Sequence, residues 1–263
     1  MRFKVILETI GGEKILPINY QYPLSAAIYR IISKGDVEYA QFLHDKGYGK
    51  GYKFFCFSDI RSPFSVKGDR IHLRNNIVEF KVAFHLPKAM KNFVQGLFAS
   101  ERIEIADNKT KQSFSVKTIE GIVNGVDNYL PKEFVNVALR PISALVVGVK
   151  NEKGHYDYLH PEDDKFIEMF TYNWREKIKT FYDQEVAADA LLIVEKEYYP
   201  NPPKSRLITI KRGTSAETKV RGFVNFKLRI QAERSYVDLL LNTGAGLYNA
   251  QGMGCMEVVN EIN

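Results

Sequence analysis

The sequence predicts an α+β protein made of two consecutive units, each with a mainly antiparallel sheet. Three observations lead there. Strand-like alternation and helix-like periodicity follow one another in a similar order in both halves of the chain. Between the halves, residues 121–132 lose that patterning and collect Gly, Asn, Asp and Pro. A length of 263 residues suits two domains of ordinary size. The units are therefore placed at 1–124 and 125–263; no sequence repeat accompanies the duplicated order.

Element by element, Phe3, Val5 and Leu7 alternate with polar partners as a first strand. Residues 24–34 read as a helix with Ser25 as a cap and Gly35 as its stop. Asp36 caps a second helix that runs to Lys46 and ends at Gly47. Residues 54–57 form a buried strand, and Val78, Phe80, Val82 and Phe84 alternate through another. Pro87 opens a helix to about Ala99, a position that suits proline. Short strands follow at 102–105 and 114–118. In the second half, a strand at 142–149 leads to a long helix over 161–182 and a strand at 190–194. A basic hairpin, a helix at 233–241, a glycine loop and a strand at 255–259 complete the chain.

Composition narrows the class. Hydrophobic residues make up 45% and charged residues 26%, which excludes wholesale disorder. Cys56 and Cys255 cannot build a disulfide framework, and C-x-x-C is absent. No run of about 18 apolar residues exists to cross a membrane as a helix. The opening MRFKVILE lacks the apolar core of a signal peptide, so a reduced, cytoplasmic setting without membrane contact is expected.

The charge is concentrated. Of a net +6, the segment 204–229 holds Lys204, Arg206, Lys211, Arg212, Lys219, Arg221, Lys227 and Arg229 against Glu217 alone. Eight less one leaves +7 there and −1 for the remainder. Within 218–230 Val220, Val224, Phe226, Leu228 and Ile230 occupy even positions, and Lys219, Arg221, Asn225, Lys227 and Arg229 odd ones, with Phe223 interrupting the row; this reads as a strand with one basic face. Residues 206–211 supply its partner across a turn at 213–216. Cations on a strand also serve as edge guards, but a sign this pure favours a polyanion-binding surface.

Near the C-terminal end, Gly244, Gly246, Gly252 and Gly254 fall within 11 residues. The loop follows a helix and enters a strand, the reverse of a dinucleotide fingerprint, and no Lys-Ser or Lys-Thr completes a P-loop. Close backbone packing and contact with phosphates account for such a loop equally well.

The spacing G-h-G-x-x-x-x-x-G-h-G, where h is apolar, resembles the C-terminal signature of the RAMP superfamily. The closest family likeness is to the CRISPR-associated repeat-RNA endoribonucleases, the "Cas six" family. Leu16-Pro-Ile-Asn-Tyr20, Ala27-Ile-Tyr29-Arg30, Phe42-Leu-His44-Asp-Lys-Gly47-Tyr48 and Lys53-Phe-Phe-Cys-Phe57-Ser58 resemble that family's early motifs, in order. The basic hairpin ending Val220-Arg-Gly-Phe223 also falls where the family has one. One departure stands out: residues 247–251 hold no Lys or Arg, where the family usually has a cation. That leaves backbone N–H groups as the loop's phosphate contacts.

The resemblance implies two tandem ferredoxin-like (RAMP/RRM-like) domains with antiparallel sheets. It implies metal-independent cleavage of precursor CRISPR RNA within its repeats by 2′-hydroxyl attack, leaving a 2′,3′-cyclic phosphate and a 5′-hydroxyl. The partner is repeat RNA, with other subunits of a ribonucleoprotein open, as is monomer versus homodimer. No cofactor is implied. The family's catalytic His aligns with His44, its Tyr with Tyr29 and its Lys with Lys50, while Lys53 competes for that role. The cations of the hairpin, Lys53 and the four loop glycines are the RNA-binding candidates. A non-catalytic RNA-binding subunit is the alternative reading.

The residues themselves say less. His44 ends its helix, where the dipole favours imidazolium, and precedes a flexible cationic stretch at 46–53. It is equally placed to edge the core, as Tyr29 is to fill it and Lys50 to sit in water. Tyr48 and Tyr52 are candidates to stack bases. His85, between a strand and Pro87, reads as structural, and the five histidines show no metal-ligand spacing.

Overall fold

The computed structural model describes residues 1–198 and 202–259. Alternation along β1 (Arg2–Thr9) turns Val5 and Leu7 inward, both fully buried. The chain continues through β2 (Ile15–Pro17), α1 (Gln21–Gly35), α2 (Val37–Asp45), β3 (Phe55–Phe57), β4 (Phe64–Lys67), β5 (Arg70–Leu73) and β6 (Ile77–Phe84). Then come α3 (Pro87–Phe98), β7 (Ile103–Ala106) and β8 (Lys111–Ile122). The second half contains β9 (Phe134–Pro141), β10 (Gly148–Lys150), β11 (Tyr156–Tyr158), α4 (Lys165–Phe181), α5 (Gln184–Asp189) and β12 (Ile193–Tyr198). It ends with β13 (Lys204–Ile210), β14 (Thr218–Val224), β15 (Phe226–Glu233), α6 (Arg234–Thr243) and β16 (Met256–Val258).

Two antiparallel sheets organise the molecule, in the orders β3-β6-β1-β8-β7 and β12-β15-β9-β16. Counted as core strands, β1, β3, β6 and β8 lie in the spatial order second, third, first, fourth. The strands β9, β12, β15 and β16 repeat that order. In each half two helices join the first core strand to the second (α1 and α2; α4 and α5), and one α-helix joins the third to the fourth (α3; α6). The fold is therefore α+β, with the ferredoxin-like plan used twice.

Each sheet buries one face under its helices. Leu24, Ile28 and Ile31 of α1 and Phe93 and Leu97 of α3 share a cluster with Val5, Phe80 and Val82. Phe166, Phe170, Trp174 and Ile178, spaced along one stripe of α4, meet Leu228 and Ile230 of β15 and Leu240 of α6. Trp174 also donates its indole N–H to the Tyr236 carbonyl at 3.0 Å. Between the halves, Cys56, Ala83 and Cys255 pack together, and a buried Arg2 Nη2 donates to the Leu241 carbonyl at 2.7 Å.

Several elements differ from the sequence expectations. The first helix begins at Gln21, so Ser25 lies inside it and is no cap; its hydroxyl donates to the Ala250 carbonyl at 2.6 Å. The strand expected at 142–149 is displaced. The ladder strand is β9, and residues 143–147 are a fully buried connector whose backbone is taken by other partners. Leu145 exchanges hydrogen bonds with Phe223, while the Ala144 and Val146 carbonyls accept from Gly254 and Leu247. Burial on both faces makes such a segment apolar throughout, which imitates a core strand. The basic strand expected over 218–230 breaks at Asn225, which takes φ +71°, a conformation asparagine tolerates. Its halves enter different sheets: β14 forms a two-stranded sheet with β13, apart from the single bridge of Phe223 to Leu145, and β15 pairs with β12 and β9. The stretch 46–53 is not a loose tether: Tyr48 and Tyr52 exchange backbone hydrogen bonds at 2.8 Å, with Gly47, Gly49 and Gly51 at positive φ.

Candidate functional site

A cleft of about 900 Å³ opens between the helices of the first half and the ribbon, long helix and glycine loop of the second. Tyr29, His44, Lys50 and Lys53 all line it. Tyr29 leaves α1 one residue after the buried Ile28. The ring of His44, at the end of α2, meets it edge-to-face with centroids 5.1 Å apart. The fold thus joins two side chains 15 residues apart. Asp36 sets the start of α2 by accepting the Tyr39 N–H at 2.8 Å, and Gly47, at φ +69°, ends it.

His44 is two-thirds exposed, and its Nδ1 lies 2.8 Å from Asp45 Oδ1. A carboxylate only accepts, so Nδ1 is the donor in this bond and Nε2 is the ring nitrogen left out of it. The same contact holds the Asp45 carboxyl below its ordinary range. Burial pushes the Tyr29 phenol above its ordinary value, so the hydroxyl keeps its proton. Lys53 donates to the carbonyl of His44 at 2.8 Å, and partial burial lowers its ammonium from the ordinary lysine value. Lys50 reaches across the cleft to α4, 2.7 Å from Glu176 and 3.2 Å from the Tyr172 hydroxyl. Its hydrogen bond to Glu176 raises its pKa.

The four glycines are buried, all at positive φ. A Cβ on Gly246 would lie 2.1 Å from the Val146 carbonyl oxygen, and one on Gly254 would lie 1.9 Å from that of Ala245. Gly252 packs on Phe57 of the first half and Gly244 on Cys56. The N–H groups of Gly252 and Gly254 are spent on Asn249 and Ala144. Packing therefore accounts for the shape of these glycines, and the loop lines the cleft with Gly246 and its half-buried middle, Leu247 to Gln251.

The hairpin cations divide into three groups. Arg206 and Arg212 pair with Asp59 and Asp69 of the first half, the latter at 3.0 Å. Lys227 and Arg229 stand on β15, where Arg229 pairs with Glu197. Lys204, Lys211, Lys219 and Arg221 have no ion pair among the described residues, and Lys211 reaches the cleft. Tyr48 packs between Phe42 and Phe54, at 5.2 and 5.6 Å, and lies away from the cleft surface; Tyr52 lines it. His85 is structural: burial lowers its pKa to about 4, and its ring sits 4.3 Å from Phe181.

Lys177 is a site residue that the motifs did not single out. Its side chain is 1% exposed in the cleft floor and donates to the Gly244 carbonyl at 2.5 Å and to Asn249 Oδ1 at 2.6 Å. Burial lowers its pKa to about 7. A readable signal existed: Phe166, Phe170, Trp174 and Ile178 mark the core stripe of α4, and a lysine adjoins it. Among the described residues no group of three or more His, Cys, Asp or Glu is arranged to hold a metal ion, and no helix is long and apolar enough to cross a membrane.

Comparison with known proteins places this geometry. Residues 15–120 match the family model for the CRISPR-associated protein Cas6 N-terminal region, and residues 129–258 match that for the Cas6 C-terminal region. A protein of Methanocaldococcus jannaschii named CRISPR-associated endoribonuclease Cas6 1 is 28% identical over 190 residues, covering 70% of this chain and 68% of that protein. Among solved structures, a Cas6-related protein of Pyrococcus furiosus superposes with a TM-score of 0.78 at 16% identity, over 99% of both chains. A structure described as a RAMP protein binding different RNA substrates gives 0.76 at 18%, over 99% of this chain and 100% of that one. One described as CRISPR associated protein Cas6 gives 0.70 at 21%, over 99% of both.

Proposed function

The chain belongs to the CRISPR-associated Cas6 family, and on that basis we propose that it is an endoribonuclease that cuts precursor CRISPR RNA within its repeats. The labour divides between the halves: residues 1–124 carry the reacting groups, and residues 125–263 supply the basic ribbon and the opposite wall of the cleft. The observation that carries this reading is the Tyr29–His44 contact at 5.1 Å, in a cleft also lined by Lys50 and Lys53.

The chemistry needs a base for the 2′-hydroxyl, an acid for the departing 5′-oxygen and positive charge beside the phosphate. Nε2 of His44, with Nδ1 committed to Asp45, suits a proton transfer at the reacting oxygens. Tyr29, held protonated by burial, orients the imidazole and has a hydroxyl proton to donate. Lys53, beside His44, and Lys50, across the cleft, supply charge. As the 2′-oxygen loses its proton and bonds to phosphorus, the bond to the 5′-oxygen breaks and that oxygen takes up a proton. The products are a 2′,3′-cyclic phosphate and a 5′-hydroxyl, and no step uses a metal.

Incubation with a cognate repeat RNA in EDTA, followed by analysis of the product ends, tests this reading. A single cut with a cyclic phosphate end is expected. His44→Ala should lower the cleavage rate by about 10²–10⁴-fold while keeping RNA affinity. Full activity in that variant removes His44 from the site. Tight binding without any cut by the native protein assigns it instead as a repeat-RNA-binding subunit.

A further inference from the structure

The wall of the cleft that carries no reacting group is built from tyrosines. On the short β10–β11 ribbon, Tyr156 and Tyr158 project from the same face with ring centroids 6.4 Å apart and planes within 18°. On the paired strand a Cβ at Gly148 would meet the Asp157 carbonyl oxygen at 3.0 Å and touch both rings at 3.4 Å. Tyr248 of the glycine loop completes the group. It adopts φ +59°, unusual for a tyrosine, and this sets its ring edge-to-face on Tyr156 at 6.3 Å and its hydroxyl 3.3 Å from that of Tyr158. From α4, Tyr172 stands 52% exposed at the same cleft.

Cations accompany these rings. Lys150, opposite Tyr156 in the ribbon, holds its ammonium 5.8 Å from that ring's centroid, and Lys50 lies 5.6 Å from the centroid of Tyr172. Lys211 enters from the basic ribbon. Tyr158 and Tyr248 rest in part on the cluster of Val146, Ile208 and Val220, whereas Tyr156 and Tyr172 belong to no core cluster among the described residues, and Tyr156, Tyr172 and Tyr248 all border the open cleft. Planar faces interleaved with cations are what single-stranded nucleic acid requires: π-surfaces for bases and point charges for the phosphates between them.

We infer that this wall, with Tyr156, Tyr172 and Tyr248 as its platform and Lys150 and Lys211 beside it, is a stacking subsite for an unpaired nucleobase of the RNA held in the cleft. The inference rests on the proposed nuclease reading for the identity of the polymer, but not on cleavage. The subsite recognises the face of a base and the charge of its flanking phosphates, so it tolerates sequence and rejects a base locked in a duplex.

Fluorescence anisotropy with 5′-labelled 12-nucleotide oligo(A), oligo(C) and oligo(U) RNA tests it. Tyr156→Ala and Tyr172→Ala should each weaken binding by about 5- to 150-fold, the range for loss of one stacked base. The slope of log affinity against log salt should not change, because no phosphate contact is removed. Tyr156→Phe and Tyr172→Phe, which keep the ring, should bind as the native protein does. Tyr129→Ala, an exposed tyrosine outside the cleft, should have no effect. Native affinity in both alanine variants overturns the inference. So does equal loss in the phenylalanine variants, or failure of the native protein to bind any of the three oligonucleotides. Cleavage of repeat RNA is scored separately. A protein that cuts but ignores these tyrosines keeps the nuclease reading alone, and one that binds through them without cutting keeps the subsite alone.

Discussion

Replacing Lys177 by methionine should destabilise the protein by an amount that grows with pH. The ammonium is buried and titrates at about 7 in the folded chain, against an ordinary lysine value of 10.5. Between those values the unfolded chain holds a proton that the folded chain has released. The group therefore adds stability as pH rises through the window, and that gain is lost as pH falls toward 7. Below about 7 both states are protonated and the dependence flattens. From the two values, linkage gives a gain of about 2 kcal/mol between pH 7 and pH 9. Methionine keeps the length and apolar stem of lysine but does not titrate. It also leaves the Gly244 carbonyl and Asn249 Oδ1 without their donor, a constant cost of about 1–3 kcal/mol for each acceptor that water cannot reach. Urea unfolding of native and Lys177→Met protein at both pH values measures the difference, and subtracting the two cancels every other titrating group. The penalty should be larger at pH 9 by about 2 kcal/mol. The same penalty at both would show that Lys177 stays charged in the fold, held so by its two oxygen acceptors.

Two further outcomes follow from the loop and the ribbon. Gly254→Ala places a Cβ against the Ala245 carbonyl oxygen at φ +69°; thermal unfolding should show a loss of about 2–4 kcal/mol, and a change under about 0.5 kcal/mol would mean that the loop gives way. Lys219→Ala combined with Arg221→Ala removes two exposed cations from β14. RNA affinity should fall and its salt slope flatten by roughly one to two units, whereas an unchanged slope returns these residues to solvent.

Where periodicity was clean, the fold was legible. β1, β6, α3 and α4 follow from alternation or a helical stripe, because each turns its regularly spaced apolar residues to one core. The connector at 143–147 was misread because it is buried on every side, and an apolar run without period does not say which partners take its backbone. The break at Asn225 hid inside an alternation that resumes in step on the far side. β10 and β11, three residues each, are too short for any period to register. At the site, nothing between residues 29 and 44 announces that the two rings touch. The family resemblance supplied that pairing, and the fold shows its geometry. Lys177, Glu176 and the tyrosine wall escaped notice because each is defined by what lies across the cleft.

Arg206 and Arg212 arrive at the surface already paired, Arg206 with Asp59 and Arg212 with Asp69, a carboxylate that Lys109 and Arg70 share. A phosphate that reaches either arginine evicts a carboxylate from it rather than liberating a dissolved ion. The exchange contributes little to the entropy that drives polyelectrolyte association, but each eviction also unfastens the β13–β14 ribbon from the half of the molecule that holds His44. An anion competing for those two arginines would therefore also compete with contacts that fasten the ribbon.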